Sequence, residues 1–355
     1  MTLIDSKPND TFYFPKAQIL LSTYNGESYL DQQIESLLRQ SETDWILWAR
    51  DDGSHDSTVE ILKKWAHRDS RIKLISDSLG NLGPTQAFST LLNSALFDKS
   101  KEIPVFFCDQ DDLWYEDKIK IFLSEFDKIK NFQFAQTGIL RPALIHSDLE
   151  VIDSNGKLIA PSFSNQLGYR HQQNCLAEYL AQNCIPGCSL AINSAALNLV
   201  RPVPLDSLMH DWWTVLICAA LGEVRFLPQA LIRYRQHQAQ ASGGVGESSL
   251  IKKAKIQIGD PAKGLKPLMQ KRFVQALSLS ERLKLVAPQE AVTRDLTAFL
   301  LGISKMSRFK LFSSCLKFGW RLQGTVRSLI FYAAILVFAD SIKAAIAQKI
   351  KSSST

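Results

Sequence analysis

The first 240 residues alternate short apolar runs with segments of helical periodicity. The runs at 17–24 (AQILLSTY) and 103–108 are apolar almost throughout, which is typical of strands buried on both faces of a sheet. Between such runs, apolar side chains recur at helical spacing, as at Leu30, Ile34 and Leu37. This alternation of strand and helix predicts an α/β fold with a mostly parallel sheet.

Polar clusters follow three of the predicted strands directly. They are Thr23-Tyr24-Asn25-Gly26, Asp51-Asp52-Gly53-Ser54 and Asp109-Gln110-Asp111-Asp112. The carboxyl ends of parallel strands meet at one edge of a sheet, where α/β proteins bind their ligands. We therefore expect the three clusters to form one site.

The cluster Asp109, Asp111 and Asp112 stands directly behind the apolar run VFFC. Carboxylates this close repel one another and resist burial unless a cation lies among them. Oxygen ligands suit Mg²⁺ or Mn²⁺, and such ions commonly hold substrate phosphates. The alternative is an acidic turn that caps the next helix. The chain has neither GxGxxG nor GxxxxGK[ST], so a standard dinucleotide site or P-loop is not supported.

Two further acidic positions have both a structural and a functional interpretation. Asp51 and Asp52 could form a turn with the glycine that follows, or could accept the N3–H of a pyrimidine ring. Asp211 could cap a helix in which Trp212 and Trp213 pack, or could be a general base beside aromatic rings that stack on sugars.

A last candidate is the segment Tyr234-Arg235-Gln236-His237, which follows a predicted strand. The neutral imidazole of His237 could complete a metal shell, and Arg235 could meet a phosphate. Both residues could equally be structural.

Charge divides the chain into two parts. Residues 1–250 carry 22 Lys and Arg against 30 Asp and Glu, a net charge of −8, whereas residues 251–355 carry 19 against 5, a net charge of +14. The linker-like run 242–246 (SGGVG) predicts a catalytic domain over 1–245 and a basic helical extension over 246–355.

The extension contains an uncharged run, 328–339, that is shorter than the roughly 20 residues of a membrane span. With its interleaved cations and aromatic residues, it favours helices that lie on an anionic membrane surface. The alternative is a helical domain packed on the first. No nucleic-acid motif is present, so a nucleic-acid partner is not expected. The six cysteines form no CxxC pair and no signal peptide is visible, which indicates a cytoplasmic protein.

The ordered motifs resemble the family 2 glycosyltransferases with the GT-A fold, and in particular their bacterial rhamnosyltransferase-like branch. The resemblance covers about residues 16–245 and rests on the runs LLSTYNG (20–26), RDDGS (50–54), CDQDDLW (108–114), GC (187–188), HDWW (210–213) and YRQH (234–237). It implies an α/β GT-A fold with a mostly parallel central sheet flanked by helices. One departure is Gln240, where the relatives often have Asn.

The resemblance implies a metal-dependent inverting glycosyltransferase in surface polysaccharide synthesis. A sugar would pass from a nucleoside diphosphate donor to a hydroxyl of a glycan or lipid-linked acceptor. dTDP-L-rhamnose is the leading donor, and a UDP-sugar is close behind. The expected location is peripheral, on the inner face of the cell membrane. A nucleotidyltransferase and a non-catalytic nucleotide-sugar-binding protein remain alternatives.

The family's roles fall on particular positions of this chain. Asp109 and Asp111 match the DxD motif, so Asp109 would lie near the ribose and, with Asp111 and His237, at the Mg²⁺ or Mn²⁺ ion. Asp211 matches the general base. The remaining assignments are Thr23, Tyr24 and Asn25 to the nucleotide pocket, Asp51 in preference to Asp52 to the pyrimidine, and Asp112, Trp212 and Trp213 to the sugars.

Overall fold

The computed structural model describes residues 14–98, 101–171, 176–237 and 264–353. The predicted linker at 242–246, the domain boundary at 245 and Gln240 lie outside the described residues. The boundary therefore stays a prediction.

Nine strands in the described residues form one sheet. They are β1 (Ala17–Thr23), β2 (Trp45–Asp51), β3 (Ile72–Leu74), β4 (Val105–Cys108), β5 (Leu113–Trp114), β6 (Ala143–Ile152), β7 (Leu158–Ala160), β8 (Leu190–Ile192) and β9 (Glu223–Arg235). Their order is β3-β2-β1-β4-β8-β6-β9-β5, with β7 paired to β6.

The sheet is more mixed than the sequence pattern predicts. The strands β3, β2, β1 and β4 run parallel, as expected. The strand β8, however, is antiparallel to both of its neighbours, and β7 returns on β6 through a hairpin at Asn155-Gly156. Gly156 has a φ of 83°, the left-handed conformation that such a turn requires. Beyond β4, antiparallel pairings thus take the place of some of the helical crossovers that a parallel sheet needs.

Helices cover both faces of the sheet. They are α1 (Leu30–Leu38), α2 (Thr58–Arg68), α3 (Gly83–Ser94), α4 (Lys118–Thr137), α5 (Phe163–Leu167), α6 (Leu176–Ala181), α7 (Ser194–Val200), α8 (His210–Leu221), α9 (Leu265–Val286), α10 (Ala291–Gly302), α11 (Arg308–Lys317) and α12 (Thr325–Ser353). Consecutive residues of β1 therefore enter different cores: Ile19 packs with α1 and α4, whereas Leu20 packs with α3 and α8.

The C-terminal helices α9 to α12 extend the core on the α8 side of the sheet. Phe273 and Phe331 are fully buried in the same apolar cluster as Trp213 of α8. The backbone N–H of Leu208 donates to Gln275 Oε1 of α9 at 2.8 Å. The extension therefore packs on the sheet domain, which is the alternative that the sequence left open.

Among the described residues, one helix, α12, is long and apolar enough to cross a membrane, by length and composition alone. Its most apolar part has a mean hydropathy of 1.9, and a third of that part is buried against the protein. The uncharged run at 328–339 is itself shorter than a span, but the helix that contains it is longer than the run. The helix continues past Asp340 through a second apolar segment.

Candidate active site

A cleft of about 550 Å³ lies at the carboxyl ends of β1, β2 and β4. Its lining includes residues from all three predicted polar clusters and from the start of α8. The lining residues that the sequence analysis predicted as site residues are Thr23, Tyr24, Asp52, Asp109, Asp111 and Asp211. The expectation that the clusters meet at one sheet edge agrees with this arrangement.

The two carboxylates after β2 have different surroundings. Asp51 Oδ1 accepts hydrogen bonds from Thr23 Oγ1 at 2.9 Å and Ser54 Oγ at 2.6 Å, and Oδ2 accepts the N–H of Gly53 and Ser54. Asp51 thus closes the turn and is not among the residues that line the cleft. Asp52 does line it. This geometry reverses the preference of Asp51 over Asp52 for contact with a base.

Asp52 is held by a buried ion pair. The Arg50 guanidinium donates to Asp52 and, at 2.8 Å through Nε, to Asp77. Hydrogen bonding from Arg50 also lowers the pKa of Asp77. Asp52 in addition accepts the backbone N–H groups of Leu82 and Gly83, each at 2.8 Å. These contacts fix the loop before α3 against the cleft.

The loop after β1 is locked by a residue that the sequence did not single out. Gln110 Oε1 accepts the N–H of Tyr24 at 2.8 Å, and its Nε2 donates to the Tyr24 carbonyl at 3.0 Å. A Cβ at Gly26 would lie 2.3 Å from Gln110 Oε1, so a larger residue there would displace the Gln110 side chain from these hydrogen bonds. Asn25 accepts the N–H of His55 and is outside the cleft lining.

The carboxylate cluster divides between the cleft and the core. Burial, together with the charges of Asp111 and Asp211, raises the pKa of Asp109 to about 7. Asp112 is fully buried, is absent from the cleft lining, and accepts the backbone N–H of Arg235 at 3.0 Å. Its position outside the cleft lining therefore gives no support to the expected contact with a sugar.

Lys118 is a second residue near the carboxylate cluster that the sequence analysis did not single out. Its ammonium group is buried, donates to the carbonyl of Cys188 at 2.9 Å, and lies 3.4 Å from the centre of the Trp114 ring. Burial lowers the pKa of Lys118 to about 7, although the charges of Asp112 and Asp109 raise it. The chain thus places a basic side chain of its own near the carboxylates. The sequence feature that could have identified Lys118 was its position in the first turn of α4.

One set of side chains has its ligand atoms close enough to share a metal ion, and in a second candidate set two of the three side chains are in contact. Asp109, Asp112 and Cys188 offer ligand atoms within 4.8 Å of one another. Burial raises the pKa of the Cys188 thiol well above its usual range, so a thiolate for a metal is disfavoured. The second set is Asp109 and Asp111 with His237, whose Nε2 lies 2.7 Å from Asp111 Oδ2. Its oxygen and imidazole donors fit Mg²⁺ or Mn²⁺ better.

Arg235 stabilises this part of the site through several hydrogen bonds. Its Nε donates to the Asp111 carbonyl at 2.9 Å, and its other nitrogens donate to the Ser154 carbonyl and to Gln32 Oε1. The guanidinium is buried. The alternative that Arg235 meets a phosphate is therefore not supported.

Asp211 lies in the first turn of α8 and lines the cleft. Burial raises its pKa to about 6, against hydrogen bonds from the backbone of Trp212 and Gly187 and from the Asn183 side chain. The charge of Asp211 also contributes to the raised pKa of Asp109, and both residues line the cleft. A buried carboxylate with this pKa suits proton abstraction near neutral pH.

The two tryptophans after Asp211 face the core. Trp213 is fully buried, and its indole N–H donates to the Val200 carbonyl at 2.9 Å. Trp212 donates to the Tyr179 carbonyl at 2.6 Å, and neither ring lines the cleft. The expected stacking of Trp212 and Trp213 on sugars is therefore contradicted. The rings that do line the cleft are those of Tyr24, Phe88, Phe163, Tyr169, His210 and Tyr234.

A sheet edge that combines these loops with paired carboxylates and a buried acid at a helix start agrees with an α/β glycosyltransferase of the GT-A type. The sequence profile described as glycosyl transferase family 2 matches residues 18–194, and the chain belongs to this family.

Individual relatives and solved structures agree with this class. A dTDP-rhamnosyl transferase, RfbG of Shigella flexneri, is 24% identical over 63% of this chain and 73% of its own. WfgD of Escherichia coli, a β-1,3-glucosyltransferase that acts on a GlcNAc-diphosphoundecaprenol, is 29% identical over 51% and 61%. Residues 1–349 of S. aureus TarS with UDP-GlcNAc superpose with a TM-score of 0.55 at 15% identity, over 95% of this chain and 92% of that one.

Proposed function

We propose that this chain is a metal-dependent inverting glycosyltransferase that uses a nucleoside diphosphate sugar. The observation that carries the proposal is the meeting of Asp109 and Asp211 in one cleft. The first stands with the candidate ligands of a metal, and the second has the pKa of a base. Donor activation and proton removal are thereby within reach of a single bound sugar.

The nucleoside would lie over the ends of β1 and β2. Thr23 and Tyr24 line this part of the cleft, and Asp52 stands there as a fixed acceptor for a pyrimidine N3–H. Asn25 and Asp51 support the proposed pocket from behind, because their side chains hold turns instead of facing the cleft.

Asp109, Asp111 and His237 would hold the divalent cation. When bound, a Mg²⁺ or Mn²⁺ ion neutralises the charge that develops on the diphosphate leaving group. The three side chains suit this task because they combine hard oxygen donors with one imidazole nitrogen, and two of them, Asp111 and His237, are in contact.

Asp211 would act as the general base of a single displacement. The acceptor oxygen bonds to the anomeric carbon as the bond from that carbon to the diphosphate oxygen breaks, and the hydroxyl proton passes to the Asp211 carboxylate. Attack from the side opposite the leaving group inverts the anomeric configuration.

The leading donor is dTDP-L-rhamnose, with a UDP-sugar as the next choice. The relative named as a dTDP-rhamnosyl transferase supports the first, and the TarS complex with UDP-GlcNAc supports the second. The acceptor would be a glycan or a lipid-linked sugar in surface polysaccharide synthesis, in agreement with the diphosphoundecaprenol acceptor in the name of WfgD.

The C-terminal helices, α9 to α12, would hold the enzyme on the cytoplasmic face of the membrane. One side of α12 exposes an apolar stripe at helical spacing, which consists of Val326, Leu329, Ile330, Ala333 and Val337. Exposed lysines at 305, 310 and 317 lie on the preceding segments, which suits anionic lipid. The opposite side of α12 packs in the core through Phe331, Ile335 and Ile342. A surface position therefore needs no unpacking of the helix.

A panel of nucleoside diphosphate sugars tests the proposal. We expect release of the nucleoside diphosphate from one donor, dependent on added Mn²⁺ and suppressed by EDTA, with the anomeric configuration of the product inverted. Release of pyrophosphate would instead indicate a nucleotidyltransferase. Retention of configuration would refute the single displacement.

A further inference from the structure

His210 stands at the start of α8, directly before Asp211, and forms part of the cleft wall. Its imidazole stacks on the ring of Phe88, with centroids 3.9 Å apart and an interplanar angle of 14°. The ring of Phe107 lies 5.7 Å away, nearly parallel to it. The side chain is only 3% exposed. The imidazole is therefore held in a fixed plane.

Neither ring nitrogen of His210 has a hydrogen-bond partner among the residues that the structure describes. A buried polar atom without a partner costs about 1–3 kcal/mol, and such atoms are rare in folded proteins. A phenylalanine would fill the same stack without this cost. The presence of an imidazole instead of a phenyl ring is thus explained by a hydrogen-bond partner that enters the cleft.

The chemistry of the ring indicates what that partner is. Burial lowers the pKa of His210 to about 3, so the imidazole is neutral and offers one donor and one acceptor. A Cβ at Gly187 would lie 3.2 Å from His210 Nε2 and 3.4 Å from the Cβ of Asp211, so glycine makes room for both side chains. A hydroxyl both donates and accepts and matches a neutral imidazole, whereas a phosphate favours cationic donors.

We propose that His210 binds a sugar hydroxyl beside Asp211 and thereby helps to select the sugar that reacts. This inference rests on the proposed glycosyltransferase function. The hydroxyl belongs either to the donor sugar or to the acceptor sugar, since both meet at the base. Because the two nitrogens are closed to solvent in the free cleft, a small shift of the wall accompanies binding.

Three variants test the inference. His210→Phe keeps the stack and removes both nitrogens, whereas His210→Gln and His210→Asn place an amide near the positions of Nε2 and Nδ1. With the donor that the wild type uses, we expect His210→Phe to raise one KM roughly 10- to 100-fold. An increase in the donor KM assigns the hydroxyl to the donor, and an increase in the acceptor KM assigns it to the acceptor. One of the amide variants should recover most of the loss.

Calorimetry with the free nucleoside diphosphate should give the same affinity for all variants, since the nucleoside pocket is separate. His146→Phe is the matched control: it is also a buried histidine with an unpartnered Nε2, but it lies outside the cleft lining. Only its melting temperature should change. Equal KM and kcat values for wild type and all three His210 variants would overturn the inference. A wild type that uses no donor would instead refute the proposed function, and the inference with it.

Discussion

Asp111 and His237 stand 126 positions apart in the chain, yet Oδ2 of the carboxylate and Nε2 of the imidazole are 2.7 Å apart. The contact joins the turn after β4 to the segment after β9. Arg235, two residues before the histidine, hydrogen-bonds the Asp111 carbonyl and so fixes the same approach through the backbone. The ends of β4 and β9 therefore form this part of the site together.

Asp111→Asn should abolish metal-dependent turnover, because an amide removes the charge that a divalent cation requires while keeping the shape of the side chain. Addition of Mn²⁺ should raise the melting temperature of the wild type and leave that of the variant unchanged. Asp117→Asn is the control, since that exposed carboxylate accepts a hydrogen bond from Ser41 and lies outside the cleft lining. Full activity of the wild type in EDTA would refute the metal role.

Asp211→Asn should lower kcat by about 10²–10⁴-fold, the range that general-base catalysis usually contributes. The affinity for the free nucleoside diphosphate should not change, since the nucleoside pocket lies at the ends of β1 and β2. Steady-state rates and calorimetry on the same preparation measure the two effects. A parallel loss of nucleotide affinity would show that Asp211 supports the pocket instead of acting as a base. Asp340→Asn, an exposed site on α12, serves as the control.

The rate should also depend on pH through Asp211. Burial raises its pKa to about 6, and only the carboxylate accepts a proton, so kcat/KM should fall about tenfold per pH unit below that value. Asp109, with a pKa of about 7 without metal, must lose its proton to bind the cation. The apparent Mn²⁺ affinity should therefore weaken from pH 8 to pH 6. A rate at saturating Mn²⁺ that is constant from pH 5 to 8 would contradict the role of Asp211.

The location of the site follows from local patterns, and the orientation of its side chains does not. The strand ends could be predicted because apolar runs and the polar residues after them are adjacent in sequence. Asp51 and Asp52 are also adjacent, yet one closes a turn and the other lines the cleft. Successive side chains at a strand end point to opposite faces, and the turn that Asp51 closes passes through Gly53, whose φ is 86°.

Residues whose contacts lie far apart in the sequence could not be predicted for a related reason. Lys118 matters because α4 brings its ammonium group to the Cys188 carbonyl, 70 positions along the chain. Trp213 was predicted to bind a sugar because it closely follows Asp211, but two residues along a helix turn a side chain by about 200°. That rotation carries its indole into the core. Composition revealed the basic character of the extension but not that it packs on α8.

The apolar stripe of α12 should be required for membrane binding. Leu329 and Val337 are 63% and 68% exposed, so Leu329→Glu/Val337→Glu should leave folding nearly unchanged. Each substitution removes an apolar side chain whose insertion is worth about 1.5–3 kcal/mol and adds a charge that anionic lipid repels. We expect the double variant to lose sedimentation with phosphatidylglycerol vesicles. Lys310→Glu/Lys317→Glu should weaken the salt-dependent part of binding. Ile139→Glu, at an exposed apolar site in the sheet domain, should bind as the wild type does. Equal sedimentation of the wild type and the stripe variant would refute the membrane role of this surface.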